Sequence, residues 1–195
     1  VNGGMLWPDG KTWKGDDDSK IGGMNGFINL LKNAAQGVRD ATKGKNAVKI
    51  AIHLADGGDN ELYRSVFDPL TKAKVDFDII GLSFYTYWHG SIASLSKNLV
   101  DLAKRYNKEL VVMETAYAFT EEDGDSQGNV FRVYDDDSSG YIPSVQGQST
   151  AIRDVMAAVA GVKGGLGVFY WEPGWIPVEG AGWFVGEGNN WENQA

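Results

Sequence analysis

The side chain with the clearest chemical setting in this sequence is Glu114, near the end of the apolar run 109–115. Apolar residues at helical spacing occupy residues 92–106, so a helix feeds a short run typical of a buried parallel strand. Barrel enzymes carry catalytic side chains at the carboxyl ends of such strands, and an unpaired carboxylate in mid-strand is costly. The stretch by itself leaves two roles open for Glu114, a catalytic group or an acceptor for a loop or helix end.

Other polar and aromatic side chains stand where the neighbouring runs 48–55, 77–85 and 165–171 end. These are His53, Asp59, Asn60, Tyr85, Trp88, His89, Trp171 and Glu172. Hydrogen bonds from His53 and Tyr85 would hold Glu114 ionised. Asp59 and Asn60 suit sugar hydroxyls, although Asn60 could equally cap the next helix. The rings suit the apolar faces of sugars, and ordinary packing is the alternative for each of them.

The order of elements predicts how these side chains are positioned. We expect helices over residues 24–41 (ended by Gly44), 61–72 (interrupted by Pro69), 92–106 (capped by Ser91) and 151–162 (capped by Ser149). Residues 2–20 and 118–148 read as loops, the second long enough to be functional or mobile. Alternating strands and helices imply a parallel sheet with helical crossovers.

The fold class expected is α/β, and polar residues at every strand exit favour a (β/α)8 TIM barrel over a doubly wound sheet. Such a barrel typically takes about 250 residues, and this chain has 195. We therefore expect a single partial domain over residues 1–195 that supplies the C-terminal half, strands five to eight. A half barrel leaves strand edges unpaired, so it should need the N-terminal half or a second copy.

Composition narrows the class of partner. The formal charge of −8 argues against nucleic acid, and no apolar run is long enough to cross a membrane. The chain has no Cys, so it carries neither a disulfide framework nor a thiolate metal site. A neutral partner fits this composition better than a charged polymer.

Five separated motifs resemble glycoside hydrolase family 53, the arabinogalactan endo-β-1,4-galactanases. They are GMLWP at 4–8, IHLADGGDN at 52–60, GLSFYTYWH at 81–89, VMETAY at 112–117 and FYWEP at 169–173. The closing WENQA at 191–195 also looks like the last barrel loop of that family. The resemblance spans nearly the whole chain.

The resemblance implies retaining hydrolysis of β-1,4-galactosidic bonds in (arabino)galactan, with Glu114 as the nucleophile on strand seven. The acid/base on strand four would be a Glu immediately before Val1. Retaining enzymes hold the two carboxyl groups about 5 to 5.5 Å apart. Glu172 is a rival carboxylate, but the resemblance makes it a loop organiser. A plant wall polymer as substrate implies an extracellular protein. The resemblance also implies no organic cofactor.

The long loop offers a metal hypothesis. Asp125, Gln127 and Asn129 alternate with glycines nearby, and this spacing lets oxygen ligands converge on Ca²⁺. A structural calcium ion would hold the loop without taking part in the chemistry. The alternative is a solvated acidic turn, since residues 135–137 have the same composition without the spacing.

Two other functions remain open from the sequence. A non-catalytic galactan-binding protein, or an inactive fragment, would keep the aromatic rings and lack the acid/base. Another barrel β-1,4-glycanase, such as a mannanase or a glucanase, would share the plan of two carboxylates.

Overall fold

A computed structural model describes residues 23–42, 48–125, 127–131, 139–175 and 188–195. In these residues the helices are α1 (Gly23–Ala41), α2 (Asn60–Lys72), α3 (Ile92–Tyr106) and α4 (Val145–Ala160). The strands are β1 (Ala51–Leu54), β2 (Ile79–Ser83), β3 (Glu109–Thr115) and β4 (Gly165–Tyr170), and a 3-10 turn spans Glu192–Gln194. The expected loop at 2–20, the motif at 4–8, the stop at Gly44 and the run 135–137 lie outside the described residues.

The strands form one parallel sheet in the order β1-β2-β3-β4. Spatial order therefore follows chain order, and α2, α3 and α4 each lie between two successive strands along the chain. A doubly wound sheet reverses its strand order at a switch point, whereas a (β/α) barrel does not. The topology agrees with the expected alternation and with the barrel rather than the open sheet.

The main core lies between the sheet and its helices. Its largest contributors are fully buried, among them Phe67 on α2, Leu95 and Leu99 on α3, and Ile80 and Leu82 on β2. Parallel strands covered by helices read as nearly continuous apolar runs, which explains the sequence pattern. The core fixes the strands and leaves their carboxyl ends to carry polar groups.

Within the described residues, no helix is both long and apolar enough to cross a membrane.

An irregularity in β3 decides where its last residues point. Leu82 pairs with Val112, but the next residue on β2, Ser83, pairs with Glu114, so Met113 is an extra residue. A bulge of this kind re-aims the side chains that follow it. Gly81 makes room for the bulge, because a Cβ at that position would lie 2.4 Å from Met113 Sδ. Glu114 thereby comes into register with Ser83.

Of the two predicted helix caps, one is confirmed and one is wrong. Ser91 caps α3 as expected, its side chain accepting from the Ser94 N–H. Ser149 is not a cap: α4 begins at Val145, and Ser144 accepts from the Gly147 N–H. A polar first turn hid this start, since apolar burial begins only at Ala151.

Pro69 was expected to interrupt α2, and this prediction is wrong. The helix continues to Lys72, with Pro69 in its last turns. The carbonyl of Pro69 still accepts from the Ala73 N–H at 2.9 Å. The missing proline N–H therefore costs one helical bond near the end of the helix without breaking it.

Candidate active site

Glu114 lies at the carboxyl end of β3, with 27% of its side chain exposed. Its Oε2 accepts a hydrogen bond from Tyr85 Oη at 3.3 Å. Its backbone carbonyl accepts from the Phe84 N–H at 2.8 Å, which ties β3 to the exit of β2. The carboxylate is thus held on a rigid strand end while part of it stays open to a ligand.

His53 on β1 approaches the other oxygen of the same carboxylate. Its Nε2 lies 3.9 Å from Glu114 Oε1 and 2.7 Å from Ser83 Oγ, with which it forms a hydrogen bond. Burial lowers the pKa of His53, outweighing the attraction of Glu114. At neutral pH His53 is therefore a neutral imidazole, with Ser83 as its close partner.

Tyr85 is the direct hydrogen-bond donor to Glu114. Burial raises the pKa of its phenol, and the charge and hydrogen bond of Glu114 raise it further. The phenol therefore keeps its proton and remains a donor across the physiological pH range. This hydrogen bond to one oxygen fixes the orientation of the carboxylate.

His89 supports Tyr85 from behind. Its Nδ1 accepts from the Tyr85 N–H at 3.2 Å, and its Nε2 lies 3.5 Å from Asp56 Oδ1. Because Nδ1 is an acceptor, the ring proton sits on Nε2, facing Asp56. Burial lowers the pKa of His89, against the charge of Asp56. We expected His89 to line a subsite. Its ring instead lies between Tyr85 and Asp56, with 10% of its side chain exposed.

Aromatic rings surround Glu114 at the carboxyl end of the sheet. We call Tyr85, Tyr87, Trp88, Trp171 and Trp191 the aromatic cluster. The ring centroid of Trp191 lies 5.7 Å from that of Tyr85, 6.1 Å from that of Trp88 and 6.5 Å from that of Trp171. Trp88 keeps 49% of its surface exposed. The predicted rings Trp88 and Trp171 are thus brought together through Trp191, to which the sequence analysis gave no site role.

The position of Trp191 depends on the closing segment 188–195. Its backbone joins the exit loop of β3, since the Phe119 N–H donates to Asn193 O at 2.8 Å. Tyr87 Oη also donates to Gln194 Oε1 at 2.7 Å. The similarity of residues 191–195 to a barrel loop was the signal that could have placed Trp191 in the site.

Asp59 and Asn60 both make structural hydrogen bonds at the start of α2. Asp59, not Asn60, caps α2, with its Oδ1 accepting from the Leu62 N–H at 2.9 Å. Asn60 Nδ2 donates instead to Asn98 Oδ1 at 2.9 Å and to Asp101 Oδ2 at 3.0 Å. The capping alternative for Asn60 is therefore wrong, because its side chain is directed to α3.

Carboxylates also gather where the β3 exit loop meets the closing segment. Ligand oxygens of Asp123, Asp125 and Glu192 all lie within 4.8 Å of one another. Backbone N–H groups of Asn189 and Gln127 lower the pKa of Asp125, whereas burial raises that of Glu192. We call these three residues the acidic cluster. It shares only Asp125 with the set predicted from spacing.

The other two predicted ligands differ in their surroundings. The Gln127 N–H donates to Asp125 Oδ1 at 2.7 Å, and Asn129 Nδ2 donates to Glu122 O at 3.3 Å. Glu192 Oε2 is buried and accepts no hydrogen bond within the described residues. A cation would satisfy this oxygen, so the acidic cluster fits Ca²⁺, and Gln127 and Asn129 stay predictions as ligands.

The model of glycosyl hydrolase family 53 matches residues 1–195. The chain belongs to this family. It is 42% identical over 144 residues to the endo-beta-1,4-galactanase of Bacillus subtilis (strain 168), which covers 73% of the chain and 33% of that protein. It is 34% identical to the arabinogalactan endo-beta-1,4-galactanase of Thermothelomyces thermophilus, over 90% of the chain and 50% of that protein.

Among solved structures, the family 53 catalytic domain from Ignisphaera aggregans superposes with a TM-score of 0.86 at 42% identity. The alignment covers 100% of this chain and 52% of that domain. The chain therefore spans a third to about half of the length of the family 53 proteins it matches. Its fold is the C-terminal half of a (β/α)8 barrel, with β1 to β4 as strands five to eight.

This placement makes β3 the seventh strand of the family 53 barrel and β4 the eighth. Glu172 follows β4 with a positive φ of 48°, a conformation that is uncommon outside glycine. Its charge contributes to the raised pKa of Tyr85, so it stands beside the same site. Its carbonyl accepts from the Trp175 N–H at 3.3 Å, which shapes the turn that follows.

Proposed function

We propose that this chain forms the nucleophile-bearing half of a retaining endo-β-1,4-galactanase. The observation that carries the proposal is the Glu114 carboxylate at the end of strand seven, held by Tyr85 at 3.3 Å. Membership of family 53 and two relatives named as galactanases support the substrate class. The expected substrates are β-1,4-galactan and type I arabinogalactan.

In the proposed reaction, Glu114 attacks the anomeric carbon and forms a galactosyl ester. The bond from that carbon to the next sugar breaks, and the acid/base protonates the departing oxygen. The same group then takes a proton from water, which attacks the anomeric carbon and releases Glu114. Two inversions give net retention. By the resemblance, the acid/base is the Glu expected immediately before Val1, on strand four.

The neighbours of Glu114 would keep it ready for this attack. Tyr85 donates to the ionised carboxylate, and its raised pKa keeps it protonated. Neutral His53 lies close enough to limit the rotation of the carboxylate without neutralising it. Both neighbours therefore help to hold the carboxylate in one orientation for the attack.

The aromatic cluster would hold the sugar chain on either side of the bond that is cleaved. Trp88 is the most open ring, while Trp171 and Trp191 form a second wall behind Tyr85. Ring faces bind the apolar faces of sugars through burial and dispersion. We propose Trp171 as a sugar platform and Trp88 as the lining of a neighbouring subsite, with His53 beside the sugar at Glu114.

A covalent trap tests the proposal directly. A 2-deoxy-2-fluoro galactobioside with a good anomeric leaving group should lose that group and add one fluorinated galactobiosyl unit to the full-length protein, on the peptide that contains Glu114. NMR of the first product from galactan should show the β anomer, as retention requires. Labelling of Glu172 instead, or an α first product, would overturn the assignment.

A substrate panel decides between the remaining functions. Cleavage of galactan but not of mannan or cellulose oligomers is the expected result. Faster cleavage of mannan or cellulose oligomers would identify a different barrel β-1,4-glycanase. Galactan binding by the full-length protein without any hydrolysis would identify a binding protein.

Two further proposals accompany this function. We propose that the acidic cluster holds a structural Ca²⁺ that joins the β3 exit loop to the closing segment, because Asp123, Asp125 and Glu192 converge there. Such an ion would supply a fixed positive charge and no chemistry. We also propose an extracellular location, because a cell wall polymer is degraded outside the cell.

A further inference from the structure

A cleft of about 780 Å³ lies between α2 and α3 and shares Trp88 with the aromatic cluster. We call it the helix cleft; its lining includes Asp59, Asn60, Arg64, Trp88, His89 and Lys97. The rings of His89 and Tyr85, with centroids 5.5 Å apart, stand between this cleft and Glu114. A ligand in the helix cleft would therefore not touch the nucleophile.

The walls of the helix cleft are fixed by buried contacts. Asn98 is fully buried, and its Nδ2 donates to Gly57 O at 2.8 Å. Asn60 Nδ2 bridges Asn98 Oδ1 and Asp101 Oδ2 and so ties α2 to α3. A Cβ at Gly58 would lie 2.0 Å from His89 O, so the two loops touch directly. The cleft is preformed, which lowers the ordering cost of binding.

Polar groups in the cleft still have capacity to bind. Arg64 and Lys97 are exposed, and neither makes a side-chain hydrogen bond or ion pair within the described part of the chain. Asp59 uses Oδ1 for the Leu62 N–H, which leaves Oδ2 to accept from a ligand. Donors and acceptors are therefore both available.

One wall of the cleft is an open ring. Trp88 is 49% exposed, and its position is set by Tyr87 at 4.8 Å and Tyr85 at 5.4 Å between centroids. Cationic and anionic side chains are interspersed along the other walls. Such mixed walls do not commit the cleft to a ligand of one charge, and a neutral polyhydroxylated ligand finds donors, acceptors and a ring face there.

We propose that the helix cleft binds a neutral sugar unit of the glycan, away from the sugar at Glu114 and next to the subsite that Trp88 also lines. The inference rests on the proposed galactan-degrading function and adds an accessory binding site to it. The sugar could come from two sources, the continuing galactan chain or an arabinose branch. Both present the same hydroxyl chemistry, so the experiment has to separate them.

The test measures binding in the full-length protein carrying Glu114→Gln, so that ligands are not cleaved. Calorimetry would compare linear β-1,4-galacto-oligosaccharides of increasing length with arabinose-branched ones. Arg64→Ala combined with Lys97→Ala should weaken binding about tenfold, as expected for lost charged hydrogen bonds. Lys32→Ala combined with Lys72→Ala removes the same charge from exposed positions outside the cleft and should leave affinity unchanged.

Weakening confined to the longer linear ligands would assign the cleft to the main chain, and weakening confined to branched ligands would assign it to the branch. Unchanged affinity for both classes would overturn the accessory site and leave the galactanase proposal standing. Binding of no galacto-oligosaccharide at all would overturn both. The single variants Arg64→Gln and Lys97→Gln each remove one charge and keep hydrogen-bonding groups, so they should weaken binding less than the double variant. Thermal melting checks that each variant is folded.

Discussion

Carboxylates at the two ends of the sheet have different partners. At the amino end, Glu109 meets Lys49 at 2.6 Å and Asp78 meets Arg39 at 2.7 Å. At the carboxyl end, Glu114 meets the neutral Tyr85 phenol and, among the described residues, no Lys or Arg. Charges at the amino end are neutralised by full countercharges and serve the fold. Charges at the carboxyl end are oriented and left available to a ligand.

The division follows from barrel architecture. Barrel enzymes place their active sites at the carboxyl ends of the strands and leave the other end to stability. Arg39 illustrates the stabilising end, because its donors to Asp76 and Asp78 join α1 to the segment that enters β2. The raised pKa of Arg39 follows from those two hydrogen bonds.

The sharpest test of this contrast applies one substitution at both ends of β3. Glu114→Gln should lower galactan hydrolysis by on the order of a thousandfold or more, because an amide is a poor nucleophile. Glu109→Gln should leave kcat unchanged and cost about 0.5 kcal/mol or less, since the Lys49–Glu109 pair is exposed. Hydrolysis rates and urea unfolding of the full-length proteins provide the measurements. Similar losses of activity would end the distinction.

The second test compares two tyrosine–carboxylate pairs. Tyr85→Phe should lower kcat about tenfold to a hundredfold, because a donor to the nucleophile is lost. Tyr106→Phe removes the equivalent bond to Asp68, 2.8 Å long, on the helix side of the core. It should leave kcat unchanged. Steady-state kinetics measure both, and an unchanged kcat for Tyr85→Phe would show that Tyr85 does not orient Glu114.

A calcium titration tests the acidic cluster as an exception at the carboxyl end. Calcium at a hundred times its Kd should stabilise the fold by about 2.7 kcal/mol, seen as a higher Tm, and magnesium should do less. Asp123→Asn should reduce the shift, and Glu121→Gln, an exposed carboxylate outside the cluster, should not. A Tm indifferent to calcium would sink the metal proposal.

The smallest effect concerns pH. Burial lowers the pKa of His53 in the fold, so between its ordinary value near 6.5 and the folded value the unfolded chain binds more protons. The free energy of unfolding should therefore fall as pH drops below about 6.5, and less in His53→Gln than in the parent. Urea melts of both full-length proteins from pH 7.5 to 4.5 measure this. Parallel curves would contradict the assignment.

Much of the fold was readable from local signals. The spacing of apolar residues in 92–106 and the cap at Ser91 gave α3 its observed limits. The start of α4 was missed, because its first turn contains Gln146, Gly147 and Gln148 and buries little. Residues that pack against nothing leave no periodic signal, so a helix end without burial is poorly defined by sequence.

The sequence by itself determined the family, the alternation of strands and helices, and the presence of Glu114 at the exit of a strand. These features depend on residue types close together in the chain. Only the tertiary structure decided where Glu114 points, because the extra residue Met113 is a matter of register between two strands. It also brought Trp191 against Tyr85 and Glu192 against Asp125, since contacts between distant segments depend on packing that no local pattern records.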